Sequence, residues 1–279
     1  MKVVLKATFF FLIFINAQAE CLNNKSVGIS TKDLGNFDVL LKNEALNITM
    51  KSNTVMHKDD DREIRKKSSP KWLAAVGRLN NHCSATLVGN DSDDNSRIAT
   101  TAFHCLKSDR PIILSFLTND GKIITRKATV LNKGNHIEDR AILLLESEIS
   151  HTDIEPLILG DMSLVSENDT LTAAGYSADK EKGSGGKLLT FDSNCKFISK
   201  DIEKSDNHIY LRDCFAYGGA SGGAIVYHDG EESFIIGHLD ESTLEGGVYG
   251  YGYYEEFYSH ENFLEKIFDA MDTYNSYDD

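Results

Sequence analysis

A serine flanked by glycines lies between two apolar runs of the chain, in the segment Tyr217-Gly218-Gly219-Ala220-Ser221-Gly222-Gly223-Ala224. Glycine adopts backbone dihedrals that other residues avoid, and it lets a substrate approach the main chain closely. A serine hydroxyl on such a turn, beside free backbone N–H groups, suits a nucleophile next to an oxyanion-binding site. A glycine-rich hairpin loop explains the same segment equally well, so both interpretations stay open at this point.

A histidine upstream has the chemistry of a partner for this serine. His104 stands directly before Cys105, at the end of the apolar run Ala99–Phe103. An imidazole whose pKa lies near neutrality is the usual general base for a serine hydroxyl. Taken alone, His104 is explained as well by a histidine whose hydrogen bonds are satisfied at the end of a strand.

A carboxylate between these two residues completes the set. Asp139 stands at the entrance to the run Ala141–Leu145, which is apolar enough to enter a core. A carboxylate in this position either caps a turn or orients an imidazole in a buried site. Glu138 competes for the role. We favour Asp139, because its shorter side chain fixes geometry more tightly and it lies closer to the apolar run.

The segments around these residues predict short β-strands. Each is rich in β-branched or aliphatic residues, and turns containing Asn, Asp or Gly separate them. Two groups of six such strands predict an all-β fold, either paired antiparallel barrels or a sandwich. The predicted strands are Trp72–Leu79, Cys83–Val88, Arg97–Thr101, Ile112–Phe116, Ile123–Leu131, Ala141–Leu145, Thr170–Tyr176, Lys187–Phe191, Ile209–Arg212, Ala224–Tyr227, Phe234–Leu239 and Val248–Tyr253.

The segment near the C-terminus has a different pattern. Apolar residues recur at helical spacing and form one face, which predicts an amphipathic helix at about residues 260–272. The residues of this face are Phe263, Leu264, Ile267, Phe268 and Met271.

The first residues predict export. Residues 1–19 have a basic start, an apolar run from Ala7 to Ile15 and the small-x-small sequence Ala17-Gln18-Ala19, as in a secretory signal peptide. The apolar run is shorter than the roughly 20 residues that a membrane helix needs. We therefore expect a secreted protein, extracellular or periplasmic, without a membrane anchor. Residues 20–54 belong to a polar, weakly patterned stretch that suits a propeptide.

Charge and cysteine content narrow the class further. The net charge of −14 argues against nucleic acid or an anionic membrane as a partner. In an exported chain most of the five cysteines should be paired. Pairing Cys83 with Cys105, and Cys195 with Cys214, closes loops of about 20 residues. Zinc binding is the competing use of cysteine, but no C-x-x-C or H-x-x-x-H spacing occurs, so we expect no metal. Cys21 is left over.

Three motifs in this order resemble those of the trypsin-like serine peptidases. Thr101-Ala102-Phe103-His104-Cys105 is similar to the T-A-A-H-C motif of that family. Asp139-Arg140-Ala141-Ile142-Leu143 resembles its D-x-A-L-L motif, and Gly219-Ala220-Ser221-Gly222-Gly223 resembles G-D-S-G-G. The order histidine, aspartate, serine is also that of the chymotrypsin-like enzymes.

The resemblance implies a fold of two six-stranded antiparallel β-barrels with a C-terminal α-helix. The peptidase domain would span residues 55–279. Its first barrel would lie at about 70–150, its second at about 156–258, and the active site between the two.

The resemblance also implies a reaction and a role for each residue. Asp139 would orient His104, which would take the proton of Ser221 as that residue attacks a peptide bond. The N–H groups of Gly219 and Ser221 would bind the oxyanion, and an acyl-enzyme would follow. We therefore expect a secreted serine endopeptidase, monomeric and without a cofactor, that acts on proteins or peptides. The alternatives are an inactive binding or adhesion module on the same fold and a small-substrate esterase.

Two departures from the family pattern bear on maturation. Ala220 replaces the aspartate that pairs with a new N-terminal ammonium in the trypsin branch, so that activation switch cannot operate here. The segment Asp60-Asp61-Arg62 and the Cys214-to-Ser221 spacing look more like the glutamyl endopeptidase-like branch, which is largely bacterial. By that resemblance we expect a zymogen that is processed near Thr54-Val55.

Specificity is less clearly marked. Phe215 stands where trypsins carry an aspartate, six residues before the serine, so a preference for Arg or Lys is not supported. In the glutamyl endopeptidases a histidine on the strand after the serine helps to bind the substrate carboxylate. Leu239 occupies that position here, and His238 is one residue off. One step along a strand turns a side chain to the other face. Phe215, His238 and Leu239 are therefore the candidates for substrate binding.

Overall fold

The computed structural model describes residues 57, 59–80, 82–106, 110–134, 138–200, 208–243, 246–253 and 262–275, without the side chains of residues 199 and 200. The predicted signal peptide, the predicted propeptide with its expected processing site near Thr54-Val55, and Cys21 lie outside the described residues.

The described residues form fourteen β-strands and one α-helix, which confirms the all-β fold with a C-terminal helix. The strands are β1 (Glu63–Ile64), β2 (Val76–Leu79), β3 (Cys83–Gly89), β4 (Ser96–Thr101), β5 (Ile112–Leu117), β6 (Ile123–Lys133), β7 (Ala141–Ile149), β8 (Leu157–Leu159), β9 (Thr170–Gly175), β10 (Thr190–Lys200), β11 (His208–Arg212), β12 (Ala224–His228), β13 (Ser233–Ser242) and β14 (Gly247–Gly252), and the helix is α1 (Phe263–Tyr274).

The strands close into two antiparallel barrels of six. In the first barrel the order is β3-β2-β5-β6-β7-β4, and β4 pairs back with β3. In the second the order is β12-β9-β10-β11-β14-β13, and β13 pairs back with β12. Closure leaves neither sheet with a free edge, which removes the main hazard of an open sheet.

The short strand β8 joins the barrels. It lies parallel to β3, where Val88 is opposite Leu157, and parallel to β13, where Phe234 is opposite Ile158. Strand β1 is outside both barrels and pairs with β10.

Strand β3 explains how the barrels fit together. All seven of its residues are buried, although a barrel strand normally turns alternate side chains to solvent. The outward-facing Ser84 and Thr86 are covered because they hydrogen-bond to the backbone of Gly219 and Gly222 in the second barrel. The seam between the barrels therefore runs along β3 and the serine-containing loop.

Two observed strands begin several residues later than predicted. The prediction Trp72–Leu79 holds only from Val76, because Lys71–Ala75 form a 3-10 turn that begins after Pro70 and buries three apolar side chains. The prediction Lys187–Phe191 holds only from Thr190, because the N–H groups of Lys187 and Leu188 bond back to Gly183 in a turn. Short apolar runs satisfy burial in a turn as well as in a strand, so periodicity does not separate the two.

Helix α1 packs on the barrels through Phe263, Leu264, Ile267, Ala270 and Met271. The Asn262 side chain caps its first turn by accepting from the N–H of Glu265. Phe268, which we placed on the apolar face, is 39% exposed. Ala270 lies in the packed face instead. In the part of the chain that the structure describes, no helix is long and apolar enough to cross a membrane.

Candidate active site

The pairing of two strands brings His104 and Asp139 together. His104 lies in a 3-10 turn that follows β4, and Asp139 lies just before β7. Strands β4 and β7 are antiparallel neighbours in which Thr101 is opposite Ala141. The end of one strand therefore meets the start of the other, although 35 residues separate the two side chains in sequence.

Asp139 holds His104 by two hydrogen bonds. Its Oδ1 accepts from the backbone N–H of His104 at 2.8 Å, and its Oδ2 lies 2.7 Å from Nδ1 of the same residue. Asp139 is buried, whereas the His104 side chain is 43% exposed. In the neutral ring, a carboxylate at this distance favours the proton on Nδ1, which leaves Nε2 as an acceptor.

The same contact tunes the basicity of His104. The hydrogen bond to Asp139 raises the imidazole pKa above its ordinary value of 6.5, although burial opposes the shift. The negative charges of Asp139, Asp240 and Glu241 add to the increase. An opposite charge nearby favours the protonated ring, so His104 is a stronger base than a free histidine.

A disulfide fixes the turn that carries His104. Cys105 is bonded to Cys83, at the start of β3, and their Cα atoms are 6.0 Å apart. Cys105 Sγ also lies 3.7 Å from the carbonyl oxygen of Ser221. The second disulfide joins Cys195 to Cys214, with Cα atoms 4.4 Å apart, just ahead of the serine-containing loop. Both pairs are those that the spacing predicted.

The backbone of the Ser221 loop is shaped by its glycines. Gly219 and Gly222 have φ angles of +99° and +79°, a region that L side chains rarely adopt. A Cβ on Gly219 would approach the carbonyl oxygen of Tyr176 to 2.6 Å, and one on Gly222 would meet Ser84 O and Thr101 Oγ1. The glycine-rich segment is therefore required both by its dihedrals and by its close packing on the first barrel.

Ser84 of β3 holds this loop by hydrogen bonds, a role that the sequence analysis did not predict. Its N–H donates to the carbonyl of Ser221 at 2.8 Å, and its hydroxyl donates to the carbonyl of Gly219 at 2.9 Å. The N–H of Ala220 is engaged by Tyr217 O. Among the described residues, the N–H groups of Gly219 and Ser221 donate to no acceptor, so they are available to a ligand.

The Ser221 hydroxyl is turned towards β13. Its Oγ donates to the backbone carbonyl of Asp240 at 3.1 Å.

Asp240 is a second carboxylate at the site. Its side-chain oxygen and the ligand atoms of His104 and Asp139 all lie within 4.8 Å of one another. Burial raises the pKa of the Asp240 carboxyl, but its hydrogen bonds, that from His208 first, outweigh the effect of burial, so the pKa lies below its ordinary value. Asp240 is therefore ionised. The sequence analysis did not predict Asp240 as a site residue, although its position directly after the segment Ile235–Leu239 could have indicated a carboxylate at the end of a strand.

These groups suit acid–base chemistry better than metal binding. Two other clusters with ligand atoms within 4.8 Å of one another contain the disulfide sulfurs, which are not thiolates. In the cluster of His104, Asp139 and Asp240, both oxygens of Asp139 are already engaged by His104.

The three predicted substrate-binding residues have different environments. Leu239 lines a cavity of about 200 Å³ beside Ser221, together with Ala216, Gly218, Val248, Glu241 and Ser242. Phe215 is not part of that lining, and its ring stacks on His57 at 5.3 Å.

His238, the third candidate for substrate binding, is not among the residues that line this cavity. Its ring is fully buried, stacks on Tyr251 and places Nε2 2.9 Å from the carbonyl oxygen of Asp139. Burial lowers its pKa, so the neutral ring donates from Nε2 to that carbonyl. His238 and Leu239 are neighbours on a strand, so their side chains point to opposite faces. The side chain of His238 holds the backbone of Asp139 through its hydrogen bond to the carbonyl.

The fold is a pair of six-stranded antiparallel barrels, and it carries a histidine–carboxylate pair and a serine on a glycine-rich turn. The model of the trypsin-like peptidase domain matches residues 83–237, a segment that includes His104, Asp139 and Ser221. The match covers more than half of the chain, and the chain belongs to this family. Membership supports a serine-type peptidase that acts on proteins or peptides. No curated protein matches the chain in sequence.

Proposed function

We propose that the chain is a secreted serine endopeptidase that uses His104, Asp139 and Ser221. The observation that carries the proposal is the two-point hydrogen bonding of His104 by Asp139. It fixes the ring, holds the proton on Nδ1 and leaves Nε2 free to accept another. Asp240 supports the arrangement because it touches Ser221 through its carbonyl and lies near His104 through its carboxylate.

The reaction would proceed by acyl transfer. Nε2 of His104 takes the Ser221 proton while Oγ attacks the peptide carbonyl, and the imidazolium is stabilised by Asp139. The N–H groups of Gly219 and Ser221 donate to the resulting oxyanion. The imidazolium then gives its proton to the leaving amine as the C–N bond breaks. In the second half of the reaction, His104 takes a proton from water as the water attacks the acyl-enzyme, and it returns that proton to Ser221 Oγ as the carboxylic acid leaves.

Labelling with a fluorophosphonate tests this function directly. The reagent should react with the wild-type protein at Ser221 and leave Ser221→Ala unlabelled. Casein cleavage should be lost in His104→Ala with the thermal melting temperature retained. A folded wild-type protein that takes no label and cleaves nothing would refute the proposal and favour the binding or adhesion module.

We also propose that the chain is closest to the glutamyl endopeptidase-like branch in architecture but not in specificity. The segment Asp60-Asp61-Arg62 and the Cys214-to-Ser221 spacing support the relationship. Of the residues that line the cavity beside Ser221, the described ones include no Lys, Arg or His, whereas Glu241 is present. A glutamate side chain there would find no counter-ion among the described residues of the lining, and the Glu241 carboxylate is of the same charge. A proteome-derived peptide library should therefore show no enrichment of Glu before the cleaved bond, and a dominant Glu preference would refute this assignment.

Maturation would remove residues that precede the described part of the chain. We propose removal of a signal peptide at residues 1–19 and of a propeptide at residues 20–54, leaving the peptidase domain 55–279. The two disulfides are compatible with an oxidising, extracytoplasmic compartment. N-terminal sequencing of the secreted protein should find a start near Thr54-Val55, and a mature start at Glu20 would contradict a propeptide.

A further inference from the structure

The segment that precedes the first barrel contains a buried arginine. Arg62 is 3% exposed, and its guanidinium contacts two carboxylates. Nη2 lies 2.8 Å from Asp60 Oδ2, and Nη1 lies 3.1 Å from Asp179 Oδ2. Nη1 also donates to Thr190 Oγ1 at 3.3 Å. A buried charge is tolerated only where such pairing compensates its desolvation, so this cluster has one well-defined arrangement.

Asp179 extends the contact into a loop of the second barrel. Its Oδ1 accepts from the N–H groups of Lys182 and Gly183, at 2.7 and 3.0 Å, and so folds residues 177–183. Lys182 returns the contact, because its Nζ donates to the carbonyls of Asp60 at 2.7 Å and Arg62 at 2.6 Å. The segment 60–62 and the loop 177–183 therefore fix each other.

This loop packs directly on the backbone next to the proposed nucleophile. The N–H of Ala178 donates to the carbonyl of Gly218 at 2.6 Å, and the N–H of Tyr217 donates to Ser177 Oγ at 3.2 Å. The Arg62 guanidinium itself lies over the Tyr217 ring, 4.3 Å from its centroid. Residues 217–219 are thus held from one side by the segment 60–62 and the loop 177–183.

The loop needs such external support. Ala220, the residue before Ser221, is 2% exposed and carries no charge that could anchor the turn. Gly219 holds a φ of +99°, and glycine is the residue that loses most conformational freedom when its backbone is fixed. The orientation of the Gly219 N–H therefore depends on the contacts made around it.

We propose that Arg62 is a positioning residue for the oxyanion-binding loop. By pairing with Asp60 and Asp179, Arg62 fixes residues 177–183. These residues in turn fix residues 217–219, so that the Gly219 N–H is oriented to donate to the oxyanion. The inference rests on the proposed function of Ser221 and Gly219. It assigns the residues ahead of the first barrel a part in catalysis, although they lie more than 150 positions before the nucleophile in the chain.

The test compares Arg62→Gln with Arg65→Gln in the full-length protein as it is secreted. Arg65 is a matched control because it lies on the same segment but donates to Leu117 O and Asn119 Oδ1 of the first barrel. Hydrogen exchange measured by mass spectrometry should be faster by about 10-fold or more in peptides covering 177–183 and 214–222 of Arg62→Gln, because local opening is no longer opposed by the cluster. Arg65→Gln should leave both peptides unchanged.

Kinetics provide a readout that a general loss of stability would not move in the same way. We expect kcat of Arg62→Gln to fall by about 100-fold, the effect of a displaced catalytic group, while KM changes little. Affinity for a peptide boronate, which forms a tetrahedral adduct on the serine, should fall in parallel with kcat. Arg62→Lys, which keeps the charge, should recover part of both.

The outcomes separate the two proposals. Unchanged exchange at 214–222 in Arg62→Gln, or a kcat equal to that of Arg65→Gln, overturns the role of Arg62. If Arg62→Gln does not fold, Asp179→Asn, which keeps the arginine, must show the same rise in exchange or the role is overturned. A wild-type protein without activity or fluorophosphonate labelling refutes the proposed function, while the exchange measurement still decides whether Arg62 fixes the loop.

Discussion

At the scale of single residues, the site is distinguished by the two carboxylates near one imidazole. Asp139 is hydrogen-bonded to His104, whereas Asp240 acts on it through charge. In the proposed mechanism His104 must be neutral to act as a base, so kcat/KM should rise with pH as the ring loses its proton. The raised pKa places this acid limb above pH 6.5, the ordinary value for histidine.

Removing the second carboxylate should move that limb. Asp240→Asn takes away a negative charge that favours the imidazolium, so the pKa of His104 should fall and the acid limb should shift to lower pH. Asp229→Asn, an exposed carboxylate in the turn after β12, serves as the control and should leave the profile in place. A limb that stays fixed or moves upward in Asp240→Asn would show that its charge does not act on His104. The measurement is the pH dependence of kcat/KM for a peptide substrate.

Asp139 and its neighbour can be compared in the same way. Asp139→Asn should reduce kcat by about 10⁴-fold, because an amide cannot hold the productive tautomer of His104. Glu138→Gln should remain within a few-fold of the wild type, since the Glu138 carboxylate is directed to Arg140, at 3.2 Å, rather than to His104. Steady-state kinetics on both variants would decide the assignment, and the reverse pattern would transfer the role to Glu138.

At the scale of elements, the turn around Ser221 requires glycine at position 222 because β3 lies against it. Gly222→Ala should destabilise the protein by about 3 kcal/mol or more, since it combines a positive φ with a Cβ that meets Ser84 O and Thr101 Oγ1. Gly230→Ala shares the positive φ, but its Cβ would have no described atom within 4 Å, so about 1–2 kcal/mol is expected. Urea unfolding measures both. Equal losses would mean that packing against β3 contributes nothing.

At the scale of the whole molecule, helix α1 connects the barrels between which the site lies. Its first residue, Phe263, packs on Tyr251 and Tyr253 of the second barrel, with ring centroids 6.1 and 5.9 Å away. Beyond its other end, the Asn275 side chain accepts from the backbone N–H of Arg97 in the first barrel at 3.0 Å. The helix therefore stabilises the relative placement of the two halves of the site.

Truncation of the buried face of α1 tests that role. Ile267→Ala should lower the free energy of unfolding by about 2–5 kcal/mol, because it leaves a cavity under a fully buried side chain. Phe268→Ala, next in the chain but 39% exposed, should cost about 1 kcal/mol or less. Thermal and chemical unfolding of the two variants should differ accordingly, and a larger loss for Phe268→Ala would contradict the observed packing.

The sequence by itself determined the class of fold and the central residues of the candidate site. His104, Asp139 and Ser221 each stand next to an apolar run that predicts a strand, and the positive φ angles at Gly219 and Gly222 belong to the turn itself. The pairing of Cys83 with Cys105 and of Cys195 with Cys214 followed in the same way from short separations. Such features can be predicted from the sequence because each physical constraint acts between residues that are close along the chain, at most 22 positions apart for the disulfides.

Only the tertiary structure decided the contacts that depend on register and on distant segments. The β4–β7 register brings His104 onto Asp139, and one step along β13 separates Leu239 at the cavity from His238 behind Asp139. Arg62 meets Asp179 across 117 residues of sequence. A one-residue change in register turns a side chain to the opposite face of a strand, and local composition does not encode which distant strand lies opposite. These contacts therefore become visible only when both barrels are closed and packed together.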